Sequence, residues 1–388
     1  MIARSLNLLK TNSFFLFGAR QTGKSSLIEQ DFPKSESLFF NLLLSEEYRR
    51  LKQNPEILRR EVLIRNPKIK FVVIDEIQRV PELLHEIHHL MESPNAPIFA
   101  ITGSSTRKLR GRDVNLLGGR AWRFDLFPLT AEELGNKFEM NRALEIGTLP
   151  AIYLGNSPLE TSLSLRAYVD NYLREEIEAE ATTRNLAAFF KFLPLVAESS
   201  GKQLNFSKMA RICLTAPNTI KSYFKILEDT LVGRFLYPFA GSSRQQLAKH
   251  PKFYLFDTGV LRTILGRENS RLQISTYEYG DLFESWVINE IWRLNSYYRK
   301  NLNTSFFRLN SGAEIDLVIQ THDHRVYGIE IKSSETPEIV ELRVGFAALE
   351  REISLTAKIC FAPVPREYID QGIHFMPVAQ LSEFIKQL

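Results

Sequence analysis

The sequence predicts an α/β fold: a parallel-sheet domain, then a helical region with a helix-turn-helix, then a mixed α+β domain. The first part rests on short apolar runs that alternate with amphipathic stretches up to Pro128, which is typical of buried parallel strands joined by helices. The predicted strands are Phe14 to Phe17, Leu38 to Phe40, Phe71 to Ile74, Ile98 to Thr102 and Phe124 to Phe127.

In the middle region, from Leu165 to Phe192, the apolar residues recur with a helical period among charged residues. Two helix-length patterns then follow between Leu204 and Phe239, split by a turn at Thr215 to Asn218 and followed by a β-like run. This order is that of a winged helix-turn-helix.

The C-terminal part, from Tyr279 onward, has a helix pattern, three strand-like runs, a second helix and a last strand. The αβββαβ order predicts a compact mixed domain. We therefore predict three domains: a parallel-sheet domain over 1–155, a helical linker with the helix-turn-helix over 156–262, and the mixed domain over 263–388.

Composition agrees with a folded chain of several domains, because 388 residues with 44% hydrophobic and 24% charged side chains exceed one ordinary core. No apolar run reaches the roughly 20 residues of a membrane helix, and the start lacks a secretion signal, so we expect a cytoplasmic protein without membrane contact. Cys213 and Cys360 are expected to be buried free thiols. A net charge of +4 permits an anionic partner without requiring one.

The first chemical motif is a glycine loop of the pattern GxxxxGK[ST] between a predicted strand and a predicted helix. Its glycines let backbone N–H groups wrap phosphates, and the following helix N-terminus favours negative charge. Lys24 is expected to reach the β and γ phosphates of ATP and Ser25 to ligate Mg²⁺. The predicted ATP-binding residues of this loop are Gly18, Ala19, Arg20, Gln21, Thr22, Gly23, Lys24, Ser25 and Ser26.

The second half of a nucleotide site is an acid at the end of a neighbouring buried strand, and FVVIDE supplies it. We expect Asp75 in the magnesium shell and Glu76 to hold and polarise the attacking water. Thr102 and Ser104 lie at the end of the next strand, where they either sense the γ phosphate or serve as ordinary turn residues.

Arginines beyond that strand are candidates for a finger that reaches the ATP of a neighbouring subunit. Arg120, in LLGGRAWRF, is the first choice and Arg112 the second. The full candidate set is Arg107, Arg110, Arg112, Arg120 and Arg123.

One motif is interpreted as misleading. HEIHH at His85 to His89 matches the HExxH pattern of zinc sites, but it belongs to a helix whose core stripe is Leu83, Leu84, Ile87, Leu90 and Met91. Because no third ligand is apparent, a solvated helix face is the favoured interpretation.

The C-terminal acids suggest a second site. Asp316 lies in GAEIDLVIQ, and Glu330 with Lys332 lies in YGIEIKSS, where period two puts Glu330 and Lys332 on one face. Two converging carboxylates require a divalent cation, Mg²⁺ or Mn²⁺, and Glu284 of the preceding helix is expected to complete the set. The alternative is a salt-bridged pair of strands.

The motifs in this order resemble a large family of prokaryotic AAA-type ATPases with a winged helix and a C-terminal domain of unknown function. The resemblance rests on the glycine loop, IDEIQ, ITGSS, GGRAWRFDLFPLTAEEL, GAEIDLVI and IEIKSS, and covers nearly all of the chain. It implies a P-loop AAA-type domain and a PD-(D/E)XK nuclease-like domain, with Asp316, Glu330 and Lys332 at the matching positions. It also implies homo-oligomeric rings or arcs.

Two functions are therefore predicted. In the first, an ATPase couples ATP turnover to binding, remodelling or metal-dependent cleavage of DNA; in the second, an ATP-gated switch assembles with a protein partner and the nuclease fold is a non-catalytic scaffold. The helix-turn-helix either contacts DNA or builds the oligomer. Its candidate contacts are Asn218, Thr219, Lys221, Ser222 and Lys225, with a basic wing of Arg244, Lys249, His250 and Lys252.

Overall fold

A parallel sheet forms the N-terminal part of the molecule. The computed structural model describes residues 2–104, 117–173, 186–239 and 250–388. Within these residues the sheet has five strands, all paired in parallel, in the order β2-β3-β4-β1-β5. The strands are β1 (Phe14–Phe17), β2 (Ser37–Asn41), β3 (Phe71–Asp75), β4 (Ile98–Gly103) and β5 (Trp122–Asp125). The predicted α/β class is confirmed, although β5 begins two residues before its predicted start.

Helices pack against this sheet through apolar stripes. Among them α4 buries Leu83, Leu84, Ile87 and Leu90, as the 3.6-residue period predicts. The helices of this part are α1 (Lys24–Asp31), α2 (Ser45–Gln53), α3 (Glu56–Leu63), α4 (Leu83–Met91) and α5 (Ala131–Leu134).

The middle region is helical and ends in a β-hairpin. A π-helical segment, Tyr168–Leu173, follows α8. The helices are α6 (Met140–Ile146), α7 (Pro150–Tyr153), α8 (Pro158–Ala167), α9 (Leu186–Glu198), α10 (Phe206–Ile212), α11 (Pro217–Asp229) and α12 (Thr258–Ile264). The hairpin pairs β6 (Gly233–Pro238) with β7 (Lys252–Leu255).

The C-terminal part has the predicted αβββαβ order and then continues with two more strands and a helix. Its elements are α13 (Tyr277–Tyr297), β8 (Asn303–Arg308), β9 (Glu314–Gln320), β10 (Val326–Ile331), α14 (Ile339–Glu350), β11 (Ala357–Ala362), β12 (Tyr368–Asp370), β13 (Ile373–Pro377) and α15 (Leu381–Gln387). In the described chain these strands form one mixed sheet with the hairpin, because β6 pairs with β8 at Tyr237 and Ser305. The strands interpreted as a wing therefore extend the C-terminal sheet.

The long helix α13 joins the three parts of the chain. The buried guanidinium of Arg293 donates to the carbonyls of Leu129 at 3.1 Å and Phe256 at 2.7 Å, and to Thr148 Oγ1 at 3.0 Å. Glu290 Oε1 accepts from the backbone of Ala131 at 2.7 Å. These contacts fix α13 against both the parallel-sheet part and the middle region. No helix in the described ranges combines the length and apolar character needed to span a bilayer.

Candidate nucleotide site and the C-terminal acid cluster

The glycine loop leaves the carboxyl end of β1, whose four residues are all buried. Gln21 and Gly23 have positive φ angles of 60° and 96°, which turn the chain sharply before α1. A Cβ on Gly18 would lie 2.5 Å from the carbonyl oxygen of Leu126, so only glycine fits there. Local strain and close packing thus account for both glycines of the motif.

The predicted phosphate ligand Lys24 begins α1 and is 6% exposed. Its ammonium donates to the carbonyls of Gly18 at 2.7 Å and Ala19 at 3.2 Å. The loop therefore curls around the lysine head, which places the positive charge beside the backbone N–H groups that point to a phosphate.

The predicted magnesium ligands face each other across the sheet edge. Ser25 Oγ lies 3.3 Å from Asp75 Oδ2, although 50 residues separate them in sequence. The other carboxylate oxygen, Asp75 Oδ1, accepts from the buried hydroxyl of Thr102. A hydroxyl and a carboxylate oxygen are the hard ligands that Mg²⁺ prefers, so this pair fits the ion.

Glu76 is held in a left-handed backbone conformation with φ 64° and is 8% exposed. Its backbone N–H donates to Thr102 Oγ1 at 3.1 Å, and its carboxylate accepts from the amide of Gln78. The same amide donates to the buried Ser104 Oγ at 2.9 Å. Thr102 and Ser104 thus position the two acids, a role that turn chemistry alone does not give them.

Two residues outside the motif also hold the loop, and sequence reasoning missed both. The Tyr172 hydroxyl accepts from the backbone N–H of Arg20 at 3.2 Å, and the Arg20 guanidinium lies 4.7 Å from the Tyr172 ring centroid. Arg4 donates to the carbonyl of Thr22 at 2.7 Å. Of the remaining predicted loop residues, Gln21 and Ser26 are exposed.

Arg120, the first choice for the arginine finger, makes its contacts beside α4 and not at the glycine loop. Arg120 Nη1 is 3.1 Å from Glu92 Oε1 and 2.6 Å from His88 Nε2, on the side of α4. Arg123 forms a two-pronged pair with Asp125, at 2.9 and 3.1 Å. Arg107, Arg110 and Arg112 lie outside the described residues, so their role as fingers stays a prediction.

The HExxH segment is a surface feature of α4. His85 and His89 are exposed, and His88 is half-buried beside Arg120. In the described ranges, no group of three or more His, Cys, Asp or Glu side chains is arranged to hold a metal ion.

Three of the predicted C-terminal residues come together. Lys332 Nζ lies 2.9 Å from Glu330 Oε2, and Asp316 Oδ2 accepts from the backbone of Ile331 at 2.8 Å. Burial and the neighbouring Asp316 raise the pKa of Glu330 well above its usual range. Two neighbouring carboxylates repel each other, and a cation bound beside them would offset this repulsion.

Glu284 makes different contacts. It accepts from the Tyr254 hydroxyl at 2.6 Å and lies 3.4 Å from the ammonium of Lys252, which also pairs with Glu314 at 2.8 Å. Burial opposes the charge of Lys252, but Glu284, Asp316 and Glu314 outweigh it and raise its pKa. The prediction that Lys252 belongs to an exposed basic wing is wrong, because it is 4% exposed and neutralises this acid cluster.

The two helices of the predicted helix-turn-helix are present as α10 and α11, with Asn218, Lys221 and Lys225 exposed on α11. Lys225 is engaged in its own helix, pairing with Glu228 at 2.7 Å and Asp229 at 3.3 Å. The half-exposed Ser222 donates to the carbonyl of Thr219 at 2.8 Å. Of the remaining wing candidates His250 is exposed, whereas Arg244 and Lys249 lie outside the described residues.

Comparison with known families assigns the nucleotide site to a recognised type of domain. Residues 10–135 match the family model described as AAA domain. The segment that holds the glycine loop and the two acids is therefore similar to AAA domains. The next two segments match models described as Domain of unknown function (DUF8612), over 137–271, and Domain of unknown function (DUF4143), over 279–381.

Relatives of the chain include two uncharacterized bacterial proteins. One from Mycobacterium tuberculosis is 27% identical over 272 residues, which cover 69% of this chain and 60% of that protein. One from Haemophilus influenzae is 23% identical over 371 residues, which cover 88% of each chain. The matched segment thus spans about three fifths of the length of the mycobacterial relative.

Among solved structures, the chain has a weak likeness to domain III of the Thermotoga maritima replication initiation protein DnaA. The two are 18% identical with a TM-score of 0.23, and the match covers 52% of this chain and 82% of that one. A likeness of this size carries no argument about the fold or the function of the present chain.

Proposed function

We propose that the chain is an ATPase that couples ATP hydrolysis to the binding and remodelling of DNA. The observation that carries the ATPase part is the convergence of Lys24, Ser25, Asp75, Glu76 and Thr102 at one edge of the parallel sheet. Residues from two strand ends and one helix start meet there, as phosphoryl transfer to water requires.

Each residue has a distinct task in this proposal. Lys24 and the loop N–H groups bind the phosphates, and Ser25 with Asp75 holds Mg²⁺, which neutralises phosphate charge when it is bound. Glu76 accepts the proton of the attacking water, while Thr102 fixes the orientation of both acids through its hydroxyl. Ser104 and Gln78 restrain the Glu76 carboxylate.

The structural support for coupling is the contact between the glycine loop and the rest of the chain. Arg20 meets Tyr172 of the middle region, and Arg4 connects Thr22 to α13. A change in the loop on ATP binding therefore acts on the elements that carry the helix-turn-helix. In an oligomer, Arg120 or one of the other arginines would complete the site of a neighbouring subunit.

The test of the coupling is ATP turnover measured with single-stranded, duplex and branched DNA and with matched RNA. We expect at least one DNA structure to raise the rate and to bind in a salt-dependent way. An unchanged rate with every nucleic acid, together with no binding at low salt, would sink the DNA part of the proposal and leave the ATPase part intact.

A second function is favoured by one specific observation. Lys252 lies between Glu284 and Glu314, where its ammonium supplies positive charge to the acid cluster. In this alternative the nuclease-like part is a scaffold, and ATP gates assembly with a protein partner. In the main proposal Asp316, Glu330 and Lys332 form a separate site that binds Mg²⁺ or Mn²⁺ and cleaves a phosphodiester.

A further inference from the structure

A cleft opens where β5, β6 and α13 meet, apart from the nucleotide site. Its volume is about 800 Å³, and a second hollow of about 290 Å³ shares Arg123, Asp125, Arg234 and Trp292 with it. No residue of the glycine loop lines either hollow. The cleft is therefore large enough for an organic ligand and is free of the ATP-binding role.

The cleft carries an excess of positive charge. Three guanidinium groups line the larger hollow, those of Arg123, Arg234 and Arg299, and Asp125 is the one carboxylate among its described lining residues. Arg123 pairs with Asp125 at 2.9 Å, so that carboxylate is already neutralised. Arg299 donates to the carbonyl of Asn7 at 2.6 Å, which is an uncharged partner. The remaining positive charge favours an anion.

Arg234 is an exposed residue of β6 that lines both hollows. Its guanidinium lies 5.3 Å from the ring centroid of Trp292, which orients it. Within the described residues it makes no hydrogen bond or ion pair, although five N–H groups are available. The surrounding protein lowers the pKa of Arg234 by desolvation, in spite of the nearby Asp125 and Glu228, although the residue is exposed to solvent. An oxyanion in the cleft would satisfy these N–H groups.

An aromatic ring is available beside these charges. Trp122 of β5 is 37% exposed, and it meets Phe124 edge to face at 6.5 Å, which leaves part of its own surface open. Trp292 is only 3% exposed and donates its Nε1–H to Thr304 at 3.0 Å, so it supports Arg234 rather than stacking with a ligand. An arginine without a hydrogen bond or ion pair among the described residues, next to an exposed indole, is typical of sites for unpaired nucleotides.

We propose that this cleft binds single-stranded nucleic acid, with a backbone phosphate on Arg234 and a base stacked on Trp122. The inference rests on the proposed coupling to nucleic acid and names where the strand lies. A strand in the cleft contacts β5 of the AAA domain and α13 of the C-terminal part at once. Strand binding is then sensitive to any nucleotide-driven movement between those elements.

The experiment uses the full chain and a fluorescein-labelled oligothymidylate of about 15 nucleotides, followed by anisotropy at several salt concentrations. Arg234→Gln is expected to weaken binding about tenfold and to reduce the salt slope by about 0.7, the loss of one phosphate contact. Trp122→Ala is expected to weaken binding about tenfold as well, whereas Trp122→Phe retains most of the affinity. Arg366→Gln, which removes an exposed arginine outside the cleft, is the charge-matched control.

The outcomes separate the site from the general function. Wild-type binding and stimulated ATP turnover that persist unchanged in Arg234→Gln and Trp122→Ala would overturn the cleft and leave the coupling to DNA intact. A wild-type chain that neither binds nor responds to any nucleic acid overturns both. Displacement of the strand by thymidine monophosphate at equal nucleotide concentration would identify a free nucleotide as the ligand and overturn the strand proposal.

Discussion

The guanidinium of Arg4 donates to the hydroxyl of Tyr297 at 3.0 Å, and this pair connects the glycine loop with α13 across 293 residues of sequence. Arg4 also donates to the carbonyls of Thr22 and Phe127, each at 2.7 Å, and pairs with Glu133 at 2.9 Å. The Tyr297 hydroxyl in turn accepts from the backbone of Phe127 at 3.0 Å. The position of the phosphate-binding loop is therefore fixed partly by the C-terminal part of the chain.

Tyr297→Phe removes the acceptor for two partly buried N–H donors and is expected to lower the free energy of unfolding by about 1–3 kcal/mol. We also expect weaker ATP binding, because Arg4 then loses one of the contacts that hold it against Thr22. Urea unfolding and titration with a fluorescent ATP analogue measure the two effects. Tyr277→Phe is the matched control, since Tyr277 is 97% exposed. If the two variants had the same free energy of unfolding and the same affinity for the ATP analogue, the proposed link between the glycine loop and α13 would be contradicted.

Glu290 predicts a pH dependence of stability. Burial raises its pKa to about 7 against the opposing effect of Arg293, whereas its usual value is 4.5. The folded chain then binds a proton more tightly than the unfolded chain, so the free energy of unfolding falls as the pH rises from 4.5 through 7.

The variant Glu290→Gln keeps an oxygen to accept from Ala131 but cannot lose a proton. We expect the pH slope of stability to flatten and the variant to gain about 1–3 kcal/mol relative to the wild type at pH 8. Urea unfolding at a series of pH values measures this. A slope equal to that of the wild type would show that Glu290 does not titrate in this window.

Lys252→Met is expected to destabilise the chain by about 3–5 kcal/mol, because it leaves Glu284 and Glu314 without their shared cation. The double variant Lys252→Met, Glu284→Gln removes one of the unpaired charges and should recover part of the loss. Denaturant unfolding of the three proteins gives the comparison. A single variant as stable as the wild type would mean that the acid cluster does not depend on Lys252.

The acid pair in the C-terminal sheet predicts metal-dependent cleavage. Purified chain should cleave DNA with Mg²⁺ or Mn²⁺, and Asp316→Asn and Lys332→Ala should each lower the rate about 100-fold. Asp316→Asn keeps an acceptor for the backbone of Ile331, so the loss reports on charge rather than on folding. Cleavage that is equal in the variants would expose a contaminating nuclease, and no cleavage by the wild type would favour the scaffold.

The sequence was sufficient for the elements whose signals are local. The strand before Gly18, the acids after Val73 and the order of elements after Tyr277 follow from periodicity and from motif chemistry. The meeting of Ser25 with Asp75 was also predictable, because the carboxyl ends of parallel strands share one edge of a sheet.

Contacts between distant parts of the chain could not be predicted in the same way. Arg4 lies in a segment without a motif, and only folding brings it to Tyr297. Lys252 has the sequence context of an exposed basic turn, yet the pairing of β6 with β8 carries its strand into the C-terminal sheet beside Glu284. The surroundings of such residues depend on strand pairing between segments that lie far apart in sequence, and this pairing cannot be predicted from a single sequence.

The most direct test of the central claim is single-turnover ATP hydrolysis by the wild-type chain and by Glu76→Gln, with ATP binding measured on the same proteins. We expect Glu76→Gln to bind ATP with wild-type affinity and to hydrolyse it at least about 100-fold more slowly, since the amide cannot accept a proton from water. Lys24→Ala, by contrast, should lose ATP binding. Hydrolysis by Glu76→Gln at the wild-type rate would contradict the assignment of the site.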